Sequence, residues 1–281
     1  MTATPDHPGL KNWLSIMFLG VIWGSAFLST KMALNGFGPW WVASGRVGIA
    51  ALTVTVLAAA SGQGIHQVKG RRSWTSVAAF GSISVAGALA LLAWGQQHVS
   101  STFAGIAMGA IQLMILQLAY IFSPDEGIGP RRIAGFCVGF IGLVVLIGPQ
   151  PFVSSGADLE TWRRLACIGC GCLYAIGSVL TRRSPSTPPI AFAAATLCIC
   201  TIILVAIAYM VEGSPTGLMN KAGYALIYAA LVPTAIGAIW RVQIIKSAGS
   251  VFMSLTSYMV PVWSVIFGML LLDERISGAM V

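Results

Sequence analysis

Residues 20–31, GVIWGSAFLSTK, and residues 171–182, GCLYAIGSVLTR, are the two segments that decide the fold. Each begins with glycine, has an aromatic residue at its fourth position, and ends in threonine followed by a basic residue. The two segments lie 151 residues apart in a chain of 281 residues. Similarity at a long fixed spacing is typical of an internal duplication.

Two further pairs of residues support the duplication. Trp94 and Trp240 lie 146 residues apart, and the Asp125-Glu126 pair returns as Asp273-Glu274 after 148 residues. The spacings agree to within a few residues, so we predict two homologous repeats. The predicted repeats are residues 1–150 and residues 151–281.

The composition predicts an all-α polytopic membrane protein. The chain is 57% hydrophobic and 9% charged, with a mean hydropathy of +0.84. A soluble domain carries about 25% charged residues, and the apolar residues here recur in blocks of roughly 20, the length that spans a bilayer. The nine predicted spans are Asn12–Leu34, Trp40–Ala60, Trp74–Gln96, Ser101–Phe122, Ile133–Ile147, Leu165–Thr181, Ile190–Val211, Ala222–Ile245 and Val251–Leu272.

Two five-helix repeats must run in opposite directions through the membrane, because five is an odd number. An inverted repeat of this kind is common in secondary transporters. Ten spans are therefore expected, but only Ser277 to Val281 follow the second Asp-Glu motif. We expect the tenth helix to be largely missing from this chain.

The loops set the orientation, because Lys and Arg accumulate in cytoplasmic loops. With the N-terminus inside, ten Lys and Arg residues fall in cytoplasmic loops and four fall outside. The sequence therefore predicts a cytoplasmic N-terminus. The small-residue motifs Gly20-x-x-x-Gly24, Gly105-x-x-x-Gly109 and Gly135-x-x-x-Gly139 allow close approach of helices. We expect them to serve packing inside the bundle, and we expect a monomer.

Several classes of function are excluded. The six cysteines lie in apolar blocks, where we expect small packing residues, so we predict no metal site and no cofactor. No nucleophile–base pair lies at one membrane depth, so no catalytic residue is predicted. The basic residues lie mostly in short loops, which argues against nucleic acid. The expected partners are the lipid bilayer and a small-molecule substrate.

Trp23-Gly24-Ser25-Ala26-Phe27, the following Lys31, Arg46 in the second span, and the Asp-Glu motifs resemble the drug/metabolite transporter superfamily. The similarity is to its EamA-type ten-helix exporters, and among those to the YddG-type exporters of aromatic amino acids. The resemblance implies a central cavity, cytoplasmic termini and a place in the bacterial inner membrane. One feature departs from the family pattern: Pro261 precedes Asp273 by twelve residues, but Gln112-Leu113 stands at the corresponding place in the first repeat.

The candidate substrate-binding residues are polar or aromatic groups deep in the spans. Gln112 lies near the middle of its span, where an amide either lines a cavity or bonds a neighbouring helix. Aromatic side chains stack on aromatic substrates, although Trp and Tyr also gather at membrane interfaces. The aromatic candidates are Trp23, Tyr174, Tyr258, Trp263 and Trp94.

Three further residues are candidates for a gate or a carboxylate contact. Lys31 and Arg46 lie within spans, where they either bind a substrate carboxylate or extend to the lipid headgroups. His98 lies at the outer end of the third span, as a gate or as an exposed interface residue. The sequence thus predicts a secondary transporter that exports aromatic and other neutral amino acids by alternating access. A drug or other metabolite exporter is the alternative, and a membrane-embedded enzyme is a weaker one.

Overall fold

The computed structural model describes residues 9–109, 130, 133–135, 137–138, 141–142, 159–185, 187–215, 220–248, 252–253 and 255–272. The long helices of this part are α1 Gly9–Ala33, α2 Pro39–Ala60, α3 Arg71–Gly95, α4 Ser101–Gly109, α5 Glu160–Arg183, α6 Pro189–Glu212, α7 Lys221–Ala248 and α8 Thr256–Leu272. A short 3₁₀ turn, Ile65–Gln67, precedes α3. No strand occurs among the described residues.

The predicted spans agree with the observed helices because apolar length is encoded locally. The first, second, third and seventh spans match α1, α2, α3 and α6 to within three residues at each end. Helix α5 extends beyond its predicted span at both ends, and α8 begins at Thr256, five residues later than predicted. Most of the fourth span lies outside the described residues, and of the fifth span only 133–135, 137–138 and 141–142 are described, all of them helical.

Within the described ranges, five helices are long and apolar enough to cross a membrane, and a sixth apolar helix is shorter. The five are Gly9–Ala33, Pro39–Ala60, Arg71–Gly95, Pro189–Glu212 and Lys221–Arg241, and the shorter one is Thr256–Leu271. The protein is therefore a multi-pass helical membrane protein.

Helices α3 and α7 each contain a π-helical stretch, at Phe80–Gly87 and Ala230–Ile236. In α7 the cause is Pro233, which has no N–H to donate to the carbonyl of Ala229. The Thr234 hydroxyl donates to that carbonyl instead, at 2.9 Å. Such stretches are frequent at functional sites because they release backbone groups from the regular helical pattern.

The helix starts show that corresponding elements are 150 residues apart. Helices α2 and α6 begin at Pro39 and Pro189, where proline is favoured because the first N–H has no helical partner. Helices α3 and α7 begin at Arg71 and Lys221, and their π-stretches begin 150 residues apart as well. The spacing of 146 suggested by Trp94 and Trp240 is therefore wrong in the third helix of each repeat.

Glycines bring α1 against α8. A Cβ added at Gly20 would lie 2.7 Å from Cβ of Met259, and one added at Gly24 would collide with Cβ of Trp263. On α4, a Cβ at Gly105 would collide with the Ser264 hydroxyl. The prediction that these motifs serve internal packing is confirmed for these three glycines. It is wrong for Gly135, which is exposed and has no atom within 4 Å of an added Cβ.

Helix contacts are reciprocal between the two halves. Helix α2 packs along α6, α2 contacts the π-stretch of α7, and α6 contacts the π-stretch of α3. The π-stretches therefore lie beside the α2–α6 pair, where the first and second halves of the chain meet.

Candidate functional site

Arg46 lies inside the helical bundle, between three helices. The residue is 8% exposed. Its Nε donates to Thr234 Oγ1 on α7 at 2.7 Å, and its Nη1 donates to Thr30 Oγ1 on α1 at 3.4 Å. The suggestion that Arg46 extends to the headgroups is therefore wrong, because its guanidinium is held by two hydroxyl groups in the protein interior.

The two threonine hydroxyls are oriented to accept from the guanidinium. Thr30 Oγ1 donates its own hydrogen to the carbonyl of Ala26 at 2.7 Å, and Thr234 Oγ1 donates to Ala229. Because each hydroxyl donates its hydrogen to a backbone carbonyl, its oxygen can only accept from the Arg46 guanidinium. The proline in α7 thus helps to orient the guanidinium through Thr234.

No described carboxylate compensates the charge of Arg46. Within the described ranges, the one ion pair joins Arg164 to Glu160, neighbours on α5. A buried ion usually has a partner of opposite charge, since removing a charge from water costs several kcal/mol. These two contacts use the N–H of Nε and one N–H of Nη1. The second N–H of Nη1 and both N–H groups of Nη2 of Arg46 can therefore donate to an anionic group.

Tyr174 and Arg241 belong to the same polar region. Tyr174 lies within electrostatic range of both Arg46 and Arg241. Arg241 lies on α7 within a predicted span, so it is a third cationic residue within the spans beside Lys31 and Arg46. The sequence signal for Arg241 is its place inside an apolar block, four residues before Ile245, where the predicted eighth span ends.

Trp23 joins α1 to the π-stretch of α7. Its Nε1 donates to the carbonyl of Pro233 at 3.1 Å, and a Cβ on Gly237 would lie 2.6 Å from that nitrogen. The hydroxyl of Ser25, also on α1, lies 2.9 Å from the hydroxyl of Tyr228 on α7. These contacts place Trp23 beside the π-stretch that orients Arg46.

The other aromatic candidates do not gather around Arg46. Trp263 lies against Gly24, and its ring stacks on Phe267 with 5.8 Å between centroids. Trp94 lies near the end of α3, with the Arg163 guanidinium 5.7 Å from its ring centroid, and it borders a cavity of about 540 Å³. Tyr258 is partly buried near the start of α8. Gln112 lies outside the described residues.

Lys31 and His98 lie near the end of α3. The Lys31 ammonium donates to the carbonyls of Gln96, Gln97 and Val99 at 2.8, 3.4 and 3.3 Å. A cation at these carbonyls stabilises the C-terminal end of a helix, so Lys31 does not extend to the headgroups. His98 is exposed.

Glu212 makes a contact that the sequence did not indicate. Its carboxylate, at the end of α6, accepts from the backbone N–H groups of Trp40 and Trp41 at 2.9 and 3.0 Å. Helix α2 has no side-chain cap from Gly38, so Glu212 caps it from a distant segment. No local sequence signal reveals a cap that comes from 172 residues away.

Comparisons with known proteins agree with this architecture. Residues 11–148 and 162–281 both match the sequence profile of the EamA-like transporter family. The chain is 27% identical over 280 residues to the "WAT1-related protein At3g02690, chloroplastic" of Arabidopsis thaliana, covering 95% of this chain but 65% of that protein. It is 26% identical over 263 residues to the "Uncharacterized transporter YyaM" of Bacillus subtilis, covering 89% of this chain and 83% of that protein.

A solved crystal structure has the same fold. It superposes with a TM-score of 0.72 and 22% identity, over 96% of this chain and 92% of the other. The likeness extends to almost the whole of both chains.

Proposed function

The chain belongs to the EamA-like transporter family, a family of membrane transporters, and from this premise we propose that it exports aromatic and other neutral amino acids. The proposed route is alternating access across the bacterial inner membrane. One observation carries the substrate class: a buried guanidinium, Arg46, has hydroxyl partners but no carboxylate partner among the described residues. The carboxylate of an amino acid would supply the missing charge.

The groups around Arg46 favour an apolar or aromatic substrate side chain. Trp23 contacts the π-stretch that holds Thr234, and Tyr174 lies within electrostatic range of the guanidinium. Aromatic rings favour stacking with aromatic side chains. Tyr258, Trp263, Trp94 and Gln112 stay proposed contacts at other stages of transport, and Lys31 and His98 stay proposed gate residues.

Alternating access is supported by the two-fold pattern of the helices. The family profile matches the chain twice, and the elements beginning at Pro39 and Arg71 recur 150 residues later. We propose that residues 1–150 and 151–281 are inverted repeats that move against each other around Arg46. Transporters with such repeats hold substrate between them, near interrupted helices.

Reconstituted protein is expected to carry phenylalanine, tryptophan, methionine and leucine but not glutamate or lysine. A second charge on the substrate side chain would have to be desolvated among apolar groups. Counterflow of radiolabelled amino acids into proteoliposomes, with protein-free liposomes as the control, measures this directly. Transport of glutamate or lysine as fast as phenylalanine would contradict the substrate class and leave the transporter family intact.

The proposed cytoplasmic location of the N-terminus can be tested by cysteine labelling. With the N-terminus in the cytoplasm, the loop from Lys69 to Arg72 is cytoplasmic. A single cysteine at Lys69, in a variant whose six native cysteines are replaced, should resist a membrane-impermeant maleimide in intact cells. It should react after the cells are permeabilised. Labelling of intact cells would show the opposite orientation.

A further inference from the structure

A cavity lies between the end of α3 and the beginning of α5. Its volume is about 540 Å³, within the range of ligand sites, and the side chains that line it are apolar or aromatic: Leu91, Trp94, Leu159, Trp162, Leu165 and Ala166. Trp162 is 64% exposed, and Leu159 and Leu165 are exposed as well. The cavity is therefore reached from the surface of the helical bundle, unlike the region around Arg46.

The charges of α5 place this cavity at the level of the lipid headgroups. Glu160, Arg163 and Arg164 lie within the first five residues of α5, whereas residues 165–181 carry no charge. Trp94 lies one residue before the end of α3. Tryptophans and basic residues at the end of a membrane-spanning helix lie where acyl chains meet headgroups. The apolar walls of the cavity therefore face acyl chains, and its basic edge faces phosphate groups.

Arg163 lies at the edge of the cavity with unused hydrogen-bond donors. Its guanidinium lies over the ring of Trp94, with Cζ 5.7 Å from the ring centroid. Stacking on a ring satisfies the face of a guanidinium, but its N–H groups lie in the plane and still require acceptors. In the part of the chain that the structure describes, Nε and Nη1 of Arg163 are buried without such an acceptor. A ligand that brings acceptor oxygens would remove this cost.

The basic groups around Arg163 outnumber the acidic ones within the described ranges. Glu160 is the carboxylate of this turn, and it pairs with Arg164. The Lys31 ammonium binds three backbone carbonyls at the end of α3. Gly95 brings the two helices together there, since an added Cβ would lie 2.8 Å from the carbonyl oxygen of Arg163. Three cations and one carboxylate thus surround this end of α3, and basic pockets between membrane helices bind anionic lipid headgroups.

A phospholipid has the chemistry that both parts of the cavity require. A phosphate carries a negative charge and several acceptor oxygens, which guanidinium groups bind with paired hydrogen bonds. Arg163 is half-buried and has a long side chain, so a change of rotamer brings its N–H groups from the Trp94 ring to the mouth of the cavity. An acyl chain of the same molecule fits the apolar walls. A headgroup without an ammonium is favoured, because the surrounding cations repel a positive charge.

We propose that the cavity between α3 and α5 binds an anionic phospholipid, with Arg163 at the phosphate and Trp162 against an acyl chain. The site is separate from the region around Arg46, and it does not depend on which substrate the protein carries. A lipid bound there holds the first turn of α5 against the end of α3.

Thermal unfolding of the full chain in detergent, followed during titration with phosphatidylglycerol, gives the apparent Kd of this lipid. Arg163→Gln is expected to raise the Kd about tenfold, the effect of one charged hydrogen bond. Trp162→Ala should raise it about fivefold, because apolar contact with the acyl chain is lost. Phosphatidylcholine should bind the wild type more weakly than phosphatidylglycerol, and inorganic phosphate should leave the unfolding temperature unchanged.

The opposite end of α3 provides matched controls. Arg72 and Trp74 are exposed there, so Arg72→Gln and Trp74→Ala remove the same kinds of side chain away from the cavity. Both variants should bind phosphatidylglycerol with the wild-type Kd. Without added lipid, Arg163→Gln should unfold at the wild-type temperature or above it, because a guanidinium with buried, unpaired nitrogens is removed.

Five results would overturn the lipid site. Arg163→Gln could keep the wild-type Kd, or Arg72→Gln could weaken binding equally, which would leave only a general attraction of basic residues to anionic lipid. Phosphatidylcholine as tight as phosphatidylglycerol would remove the role of charge. A lower unfolding temperature of Arg163→Gln without lipid would give Arg163 a structural role. Displacement of phosphatidylglycerol by phenylalanine would assign the cavity to the transported substrate.

Discussion

Replacing Arg46 by glutamine is expected to lower the kcat/KM of phenylalanine transport by about a hundredfold, close to 3 kcal/mol. In the proposed site, this guanidinium is the charge that meets the substrate carboxylate, and glutamine offers neither the charge nor the planar fork. Arg46→Lys should retain part of the activity. An ammonium keeps the charge, but it cannot reproduce the fixed geometry with which the guanidinium bonds Thr30 and Thr234.

The stability of the same variants separates a binding role from a structural one. Arg46 is buried and has no carboxylate partner among the described residues, so its charge destabilises the folded protein in the absence of substrate. Arg46→Gln should therefore unfold in detergent at or above the wild-type temperature. Arg72, exposed at the start of α3, provides the control, since Arg72→Gln removes the same charge without affecting transport.

Two results would contradict this assignment. Phenylalanine transport by Arg46→Gln with wild-type KM would show that the guanidinium does not bind the substrate. A marked loss of thermal stability in Arg46→Gln would show that the residue mainly holds α1, α2 and α7 together. Transport in proteoliposomes and unfolding monitored by intrinsic fluorescence measure the two quantities independently.

Replacing Gly24 by leucine is expected to prevent correct assembly of the bundle. Even a single Cβ at this position collides with Cβ of Trp263 and lies 3.2 Å from the backbone of Ser264. These atoms belong to or adjoin the main chain of α8, so no change of rotamer relieves the overlap. Helices α1 and α8 would have to separate, and the contacts made by Gly20 with Met259 would be lost.

The loss of stability should increase with the size of the side chain introduced at Gly24. Gly24→Ala should lower stability by about 1–3 kcal/mol, the usual effect of overpacking, and Gly24→Leu should leave little monodisperse protein after size-exclusion chromatography. Gly135 has no atom within 4 Å of an added Cβ, so Gly135→Ala should unfold like the wild type. If Gly24→Ala also unfolded at the wild-type temperature, the close packing of α1 on α8 would be refuted.

The sequence by itself determined the fold class and most helix positions. A run of apolar residues must be about 20 long to cross a bilayer, and proline at Pro39 and Pro189 favours a helix start. These signals are local, so α1, α2, α3 and α6 were located to within three residues. The family, too, was apparent from short motifs around Trp23 and Arg46, and the EamA-like profile confirms it.

The tertiary structure decided which side chains meet. Polarity and apolar length do not specify which face of a helix contacts which neighbour. The sequence therefore could not distinguish a buried Arg46 from one that extends to the headgroups, nor show that Lys31 binds the carbonyls at the end of α3. For the same reason, the deep aromatic residues looked equivalent, yet Trp23 contacts the π-stretch of α7 while Trp94 lies beside Arg163. The register of 150 residues appeared only once the helix starts were known, because a diverged repeat preserves the positions of its helices after the identities of its side chains have changed.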